Sequence, residues 1–205
     1  MPGAKPRGQQ GRAYDQEQLE QRLRVALGSL MADGTSFRDL SVERIVAAAG
    51  VARSTFYTYY DDKSAMLRAL SAHSLRRLYE GPRGWISKGA EATRDDIAAG
   101  LRQLLETFLE DEVVMRAVAE ASGYDASVRE AYLGAVEDYA RALARFIRSG
   151  RRAGRMRAVA PAETAAALAW MTERTVSRTA PGTPPARLAA VAEAMADIFW
   201  RTLVP

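Results

Sequence analysis

The sequence predicts an all-α protein, with a three-helix unit at the N-terminus and a larger helical bundle after it. Apolar residues recur three and four apart over most of the 205 residues, and no segment shows the convincing period of two that a half-buried strand requires. Gly and Pro punctuate these segments at Gly34, Gly50, Gly81-Pro82, Gly150 and Pro184-Pro185, where they end or open helices. The length allows a small domain joined to a larger one, and 48% hydrophobic residues suffice for a substantial core. The chain has no Cys, which removes disulfides, thiolate metal sites and thiol nucleophiles and fits a reducing compartment. No run approaches the roughly 18 apolar residues of a membrane span, and no signal-peptide stretch opens the chain, so a cytoplasmic protein with no membrane partner is expected.

The first helix is expected from about Asp15 to Met31, with Leu19, Leu23, Leu27 and Leu30 on one stripe and Asp33-Gly34 as its stop. Phe37 and Leu40 then seal the small unit. The next helix begins after Ser41, whose hydroxyl can cap free N–H groups, and runs through Ile45 and Val46 to Ala49. Gly50 ends it by permitting the left-handed backbone of a short turn, and Val51 tucks into the core. A helix from about Arg53 to Tyr60 puts Phe56 and Tyr60 on one face while Arg53, Ser54, Tyr57 and Thr58 point elsewhere. That outward set suits DNA, because Arg reads a guanine edge or grips phosphate and hydroxyls donate to phosphate oxygens. Asp62 is placed to cap the following helix, and Lys63 at its start to reach a flanking phosphate.

The series Ile45, Ala49-Gly50-Val51, Thr55-Phe56-Tyr57, Tyr59-Tyr60, Lys63 and Leu67 resembles the TetR family of one-component repressors. The resemblance implies a helix-turn-helix that binds double-stranded operator DNA through Ser41, Arg53, Ser54, Thr55, Tyr57, Thr58, Tyr59 and Lys63. It also implies a homodimer matched to a palindromic operator. The chain departs at Ala52, where similar proteins have a Ser opening the recognition helix, and Ser54 is expected to take part of that capping role.

A formal net charge of +4 favours an anionic partner without identifying one. Lys5, Arg7 and Arg12 lie among Pro and Gly with no acid nearby, which reads either as a disordered arm for phosphates or a minor groove, or as an inert tail. The run Arg141, Arg145, Arg148, Arg151, Arg152, Arg155 and Arg157 is also free of acids. Arg141, Arg145, Arg148 and Arg152 nevertheless follow helical spacing opposite Leu143, Phe146 and Ile147, so the run is assigned to the solvated face of an amphipathic helix.

The helix opened at Asp62 continues through Leu67, Leu70 and Leu78 and is expected to end at Gly81-Pro82, as a connector between the two units. Thr93-x-x-Asp96 can cap a helix through Leu109, and Ser127-x-x-Glu130 has capping-box spacing ahead of one running to about Gly150. Two more helices run from about Ala162 to Thr179 and from Pro184-Pro185 to Leu203. The expected plan is a basic arm over 1–13, the helix-turn-helix unit over 14–61 and a ligand-binding and dimerisation unit over 62–205.

No catalytic constellation stands out, and no cofactor is expected. His73 is the single His, and without Cys or paired acids at metal spacing it is assigned a structural role. Asp61-Asp62, Asp95-Asp96 and Asp111-Glu112 stand at predicted helix starts, where acids complement the dipole. The alternative reading is a helical-bundle enzyme or hydrophobic ligand carrier with a vestigial DNA module.

Tyr132, Val136, Tyr139 and Leu143 form one stripe, its neighbour supplies Ile97, Leu101, Leu104, Leu105 and Phe108, and the late helices add Trp170, Met171, Phe199 and Trp200. These read equally as solid core or as the lining of an apolar pocket. From about Gly100 to Met115, and from Met171 to Leu203, the sequence is similar to the EthR-type branch of the family. That similarity implies a tube for a small hydrophobic effector, lined by Ile97, Leu104, Phe108, Tyr132, Val136, Tyr139, Leu143, Ala169, Thr172 and Phe199. Relatives have aromatics where Ile97 and Leu104 stand and Asn where Ala169 and Thr172 stand, which implies a wider and less polar tube here. Ala165, Ala166 and Ala169 on one late helix, and Leu188, Val191, Met195 and Ile198 on the other, either pack within the monomer or build a four-helix bundle between two copies.

Overall fold

The computed structural model describes residues 15–205, which are helices and their connections with no strand among them. The basic arm expected over 1–13 lies outside the described residues. α1 (Gln16–Met31) buries Leu19, Leu23, Ala26, Leu27 and Met31, while Leu30 is only partly covered at the flank of that stripe. A single 3-10 turn (Phe37–Asp39) leads into α2 (Val42–Ala49), which opens with the Ser41 hydroxyl accepting from the Arg44 N–H at 3.3 Å. Gly50 closes α2 with φ of 63°, the left-handed conformation that a side chain disfavours. α3 (Arg53–Tyr59) follows, and then α4 (Lys63–Leu78), where the Asp62 carboxylate accepts from the Ala65 N–H at 2.7 Å.

The connector ends earlier than its spacing suggests. α4 stops at Leu78 and α5 (Glu80–Ser87) starts after one intervening residue, with Pro82 in its first turn, where a missing N–H costs no helical hydrogen bond. Gly81 marks a close crossing of α5 over α6 (Arg94–Glu110): a Cβ on Gly81 would lie 2.5 Å from the Gly100 carbonyl oxygen. That approach seats Trp85 in the bundle, edge-on to Phe146 and Phe199 at 5.1 and 5.9 Å between centroids.

α6 opens with the Thr93–Asp96 capping box, and α7 (Glu112–Ala121) follows directly. α8 (Ala126–Arg152) is capped by Asp125 and not by Ser127: the carboxylate accepts from the Ser127 and Val128 N–H groups at 2.9 and 3.2 Å. α9 (Pro161–Ser177) and α10 (Pro185–Leu203) each place Pro at the first helical position, where its fixed φ suits the turn. None of the described helices is long and apolar enough to cross a membrane.

Two hydrophobic cores result. The smaller joins α1, α2 and α3 to Met66, Leu67 and Leu70 of α4 and to Val114, Ala117, Val118 and Ala121 of α7. The larger is built from the end of α4, α5, α6 and α8 to α10. A division at 61/62 therefore cuts through the first core, because α4, α7 and Val128 of α8, all from beyond it, complete the N-terminal head. In the late helices Ala165, Ala169, Leu188 and Met195 are buried within the chain and Val191 packs on the larger core. Trp170 and Ile198 remain outside, 43% and 47% exposed.

Candidate functional site

α3 is a poor helix in isolation, with seven residues, many of them β-branched or aromatic, and no side-chain cap at its start. It is held by Phe56, fully buried, against whose ring Tyr57 and Tyr60 each pack at 5.4 Å. Arg53, Ser54, Tyr57, Thr58 and Tyr59 stay exposed and Thr55 is half-buried. Ser54 does not supply the cap expected of it; its carbonyl accepts from the Thr58 hydroxyl at 3.0 Å. The Arg53 guanidinium meets Glu43 at 2.8 Å and lies over the Tyr57 ring at 5.5 Å. Both partners of that ion pair are solvated, so the contact orients Arg53 while adding little stability.

Lys63 corrects the sequence reading. Its ammonium donates to the carbonyls of Phe37, Arg38 and Leu40 at 3.1, 2.7 and 2.8 Å and rests over the Phe37 ring. All three N–H donors are thus engaged, and burial lowers its pKa from the ordinary lysine value. Lys63 clamps the 3-10 turn to α4 and leaves the outward set. Ser41 is likewise occupied, as the cap of α2.

The head is fastened to the rest by groups that its own sequence does not announce. The Glu120 carboxylate on α7 accepts from the Ser36 hydroxyl and from the Phe37 and Arg38 N–H groups at 2.5, 2.9 and 2.9 Å. Burial raises its pKa, but these hydrogen bonds outweigh that and hold the carboxyl below its ordinary value. Arg24 of α1 donates to the Leu70 carbonyl, the Ser74 hydroxyl and Asp111 at 2.8, 2.9 and 3.3 Å. Asp111 also takes Arg77 at 3.4 Å, so it bridges two arginines and does not cap α7 with its side chain.

The residues expected to line a tube are nearly all buried, yet they do not enclose one open channel. Leu104, Phe108, Tyr132 and Thr172 converge with Leu78, Tyr79, Met115 and Glu173 around a cleft whose hollow is only about 10 Å³. Their own side chains fill the space, leaving room for about one water. Ile97 borders a different cavity of about 370 Å³ beside Phe146 and Trp200, and Tyr139 a third of about 580 Å³ beside Arg76 and Arg145. Val136, Leu143, Ala169 and Phe199 belong to the packed larger core.

The cleft is also more polar than expected. Glu173 is buried on α9 and accepts a hydrogen bond from the Tyr132 hydroxyl, while its second oxygen has no hydrogen-bond partner. Thr172 directs its hydroxyl to the Leu168 carbonyl of its own helix, at 2.8 Å. Tyr79 stacks on Tyr139 at 4.9 Å. Sequence reasoning missed Glu173 and Tyr79; the available signal was a lone acid at the inward-facing register next to Thr172.

Residues 97–204 match the model of the C-terminal domain of the transcriptional regulator EthR, and residues 33–70 that of bacterial regulatory proteins of the tetR family. The chain belongs to the TetR family, in its EthR-type branch. It is 28% identical over 189 residues to the HTH-type transcriptional regulator EthR of Mycobacterium tuberculosis, a match covering 88% of this chain and 84% of that one. Its fold is similar to that of a TetR-family regulator from Mesorhizobium loti, with TM-score 0.70 and 17% identity over 92% of this chain and 96% of the other. A regulator from Saccharomonospora viridis, in complex with choline, matches with TM-score 0.65 and 18% identity over 93% of this chain and all, 100%, of that one. The chain is accordingly a transcriptional repressor of the TetR type, with its helix-turn-helix as the DNA-binding element.

Proposed function

We propose that this repressor binds a palindromic operator as a homodimer, and that a small hydrophobic effector entering between the C-terminal helices releases it. The recognition surface in this reading is Arg53, Ser54, Thr55, Tyr57, Thr58 and Tyr59, with Lys63 and Ser41 supporting it from behind. The observation that carries the proposal is the shared core: α4 and α7 complete the head and also reach the effector cleft, through Leu78 of α4 and Met115 of α7. An effector that separates these two side chains displaces helices to which the head is tied by Glu120, Arg24 and Asp111. Such control requires the effector to bind the operator-incompetent form better, with a coupling of about 1 to 3 kcal/mol as the usual scale. No catalysis is part of this reading.

The test is a selection on random duplexes followed by titration against salt. A specific repressor yields a preferred two-fold site and a steep salt slope, whereas a ligand carrier with a vestigial head yields neither. Thermal stability and operator release are then measured across hydrophobic compounds for the wild type and Leu104→Trp. Stabilisation and release that the folded variant loses support effector control; a wild type that no compound stabilises refutes it.

A further inference from the structure

The Glu173 side chain is 7% exposed in a cleft whose wall includes Leu78, Leu104, Met115 and Val176, together with Thr172 and Ser177, whose hydroxyls are turned to carbonyls of their own helix. One carboxylate oxygen takes the Tyr132 hydroxyl, and the other is buried with no hydrogen-bond partner. The lining residues include no Lys, Arg or His. The ion-pair contact of that second oxygen among the described residues is with the Arg174 Nε at 3.9 Å, a side chain 75% exposed and therefore largely solvated. A buried carboxylate left short of donors and counter-charge is costly, and a structural role as acceptor for Tyr132 accounts for one oxygen only. Three aromatic rings, Tyr79, Phe108 and Tyr132, border the same cleft. Burial, reinforced by the neighbouring Glu173 carboxylate, raises the pKa of the Tyr79 and Tyr132 hydroxyls, so they stay protonated.

We infer that the effector is a protonated amine on an apolar tail, with its ammonium N–H donating to the free oxygen of Glu173 among the rings of Tyr79, Phe108 and Tyr132. The inference rests on effector control through this cleft and adds the chemical class. A cation supplies both things the second oxygen lacks, a donor and a positive charge, and ring faces attract it further. A neutral tail supplies at most the donor, and a fatty acid places two negative charges together.

Decylamine, decanol and decanoate, each below its micellar concentration, are compared by thermal shift and by operator release. The wild type should respond to decylamine at a concentration about tenfold below that for decanol, and least to decanoate. Glu173→Gln keeps an acceptor for Tyr132 and removes the charge, so it should bring decylamine and decanol level while leaving the decanol response in place. Tyr79→Leu is a second variant, expected to weaken decylamine more than decanol. A wild type that prefers decanol or decanoate, or a Glu173→Gln protein that retains the amine preference, overturns the assignment while effector control stands. If none of the three shifts stability or releases operator, effector control through this cleft falls with it.

Discussion

Arg53 and Lys63 are neighbouring cations in the sequence, and the structure places them differently: Arg53 faces outward and Lys63 is turned onto backbone carbonyls. Arg53 is solvated beyond its contact with Glu43, so Arg53→Ala should leave thermal stability unchanged, cost about 1 to 3 kcal/mol of operator affinity and relax preference at one position of each half-site. Lys63→Ala removes hydrogen bonds to three carbonyls and should lower stability by about 1 to 3 kcal/mol, with the salt slope of DNA binding unchanged. A slope reduced by about one with no loss of stability would instead return Lys63 to the phosphates. Its position after the Asp62 cap was legible in the sequence. The direction of its ammonium was not, because the acceptors belong to a 3-10 turn before α2 that no local pattern links to residue 63. Glu173 escaped for the same kind of reason: its partner Tyr132 lies on α8, and only the packing of α8 on α9 brings the two together.

Where local chemistry decides an element, the sequence was readable: Ser41, Asp62 and the Thr93–Asp96 box all cap as their spacing implies. Where tertiary contact decides, it was not. Gly81-Pro82 reads as a terminator, yet α5 runs through it because the absence of two Cβ atoms lets it cross α6. Gly81→Ala should therefore destabilise by about 1 to 3 kcal/mol in chemical denaturation, the scale of overpacking in a rigid contact. Asp125 displaced Ser127 as cap because one carboxylate accepts two N–H groups at once. The tie between α7 and the head depends on ionised Glu120, whose folded pKa is lowered. Its contribution is complete above the unfolded glutamate value of about 4.3 and is lost as pH falls through the lower folded value. Protection of the amides of residues 36–38, taken relative to the intrinsic exchange rate at each pH, should fall on acidification into that window, and Glu120→Ala should show the same loss of protection at neutral pH, with helical content retained.

At the scale of the whole molecule, two heads must be held at a fixed separation if both are to enter successive major grooves, roughly 34 to 36 Å apart. If α9 and α10 meet a second copy, the contact uses fewer residues than the sequence stripes hold, since Ala165, Ala169, Leu188 and Met195 are buried within the chain itself. Trp170 and Ile198 remain as large apolar groups in water, and a two-fold contact that buries them needs no change in the chain's own core. A charge at Val191 would disturb that core and confuse unfolding with dissociation, because Val191 packs against it. Ile198→Glu separates the two: nearly half of the side chain is already exposed at 47%, so the monomer keeps its helices while the like charges face each other across the two-fold axis. The expected result is a monomer in sedimentation, with unaltered circular dichroism and operator affinity reduced to that of a single head. A charged variant that still sediments as a dimer and still binds the operator would move the interface off this face.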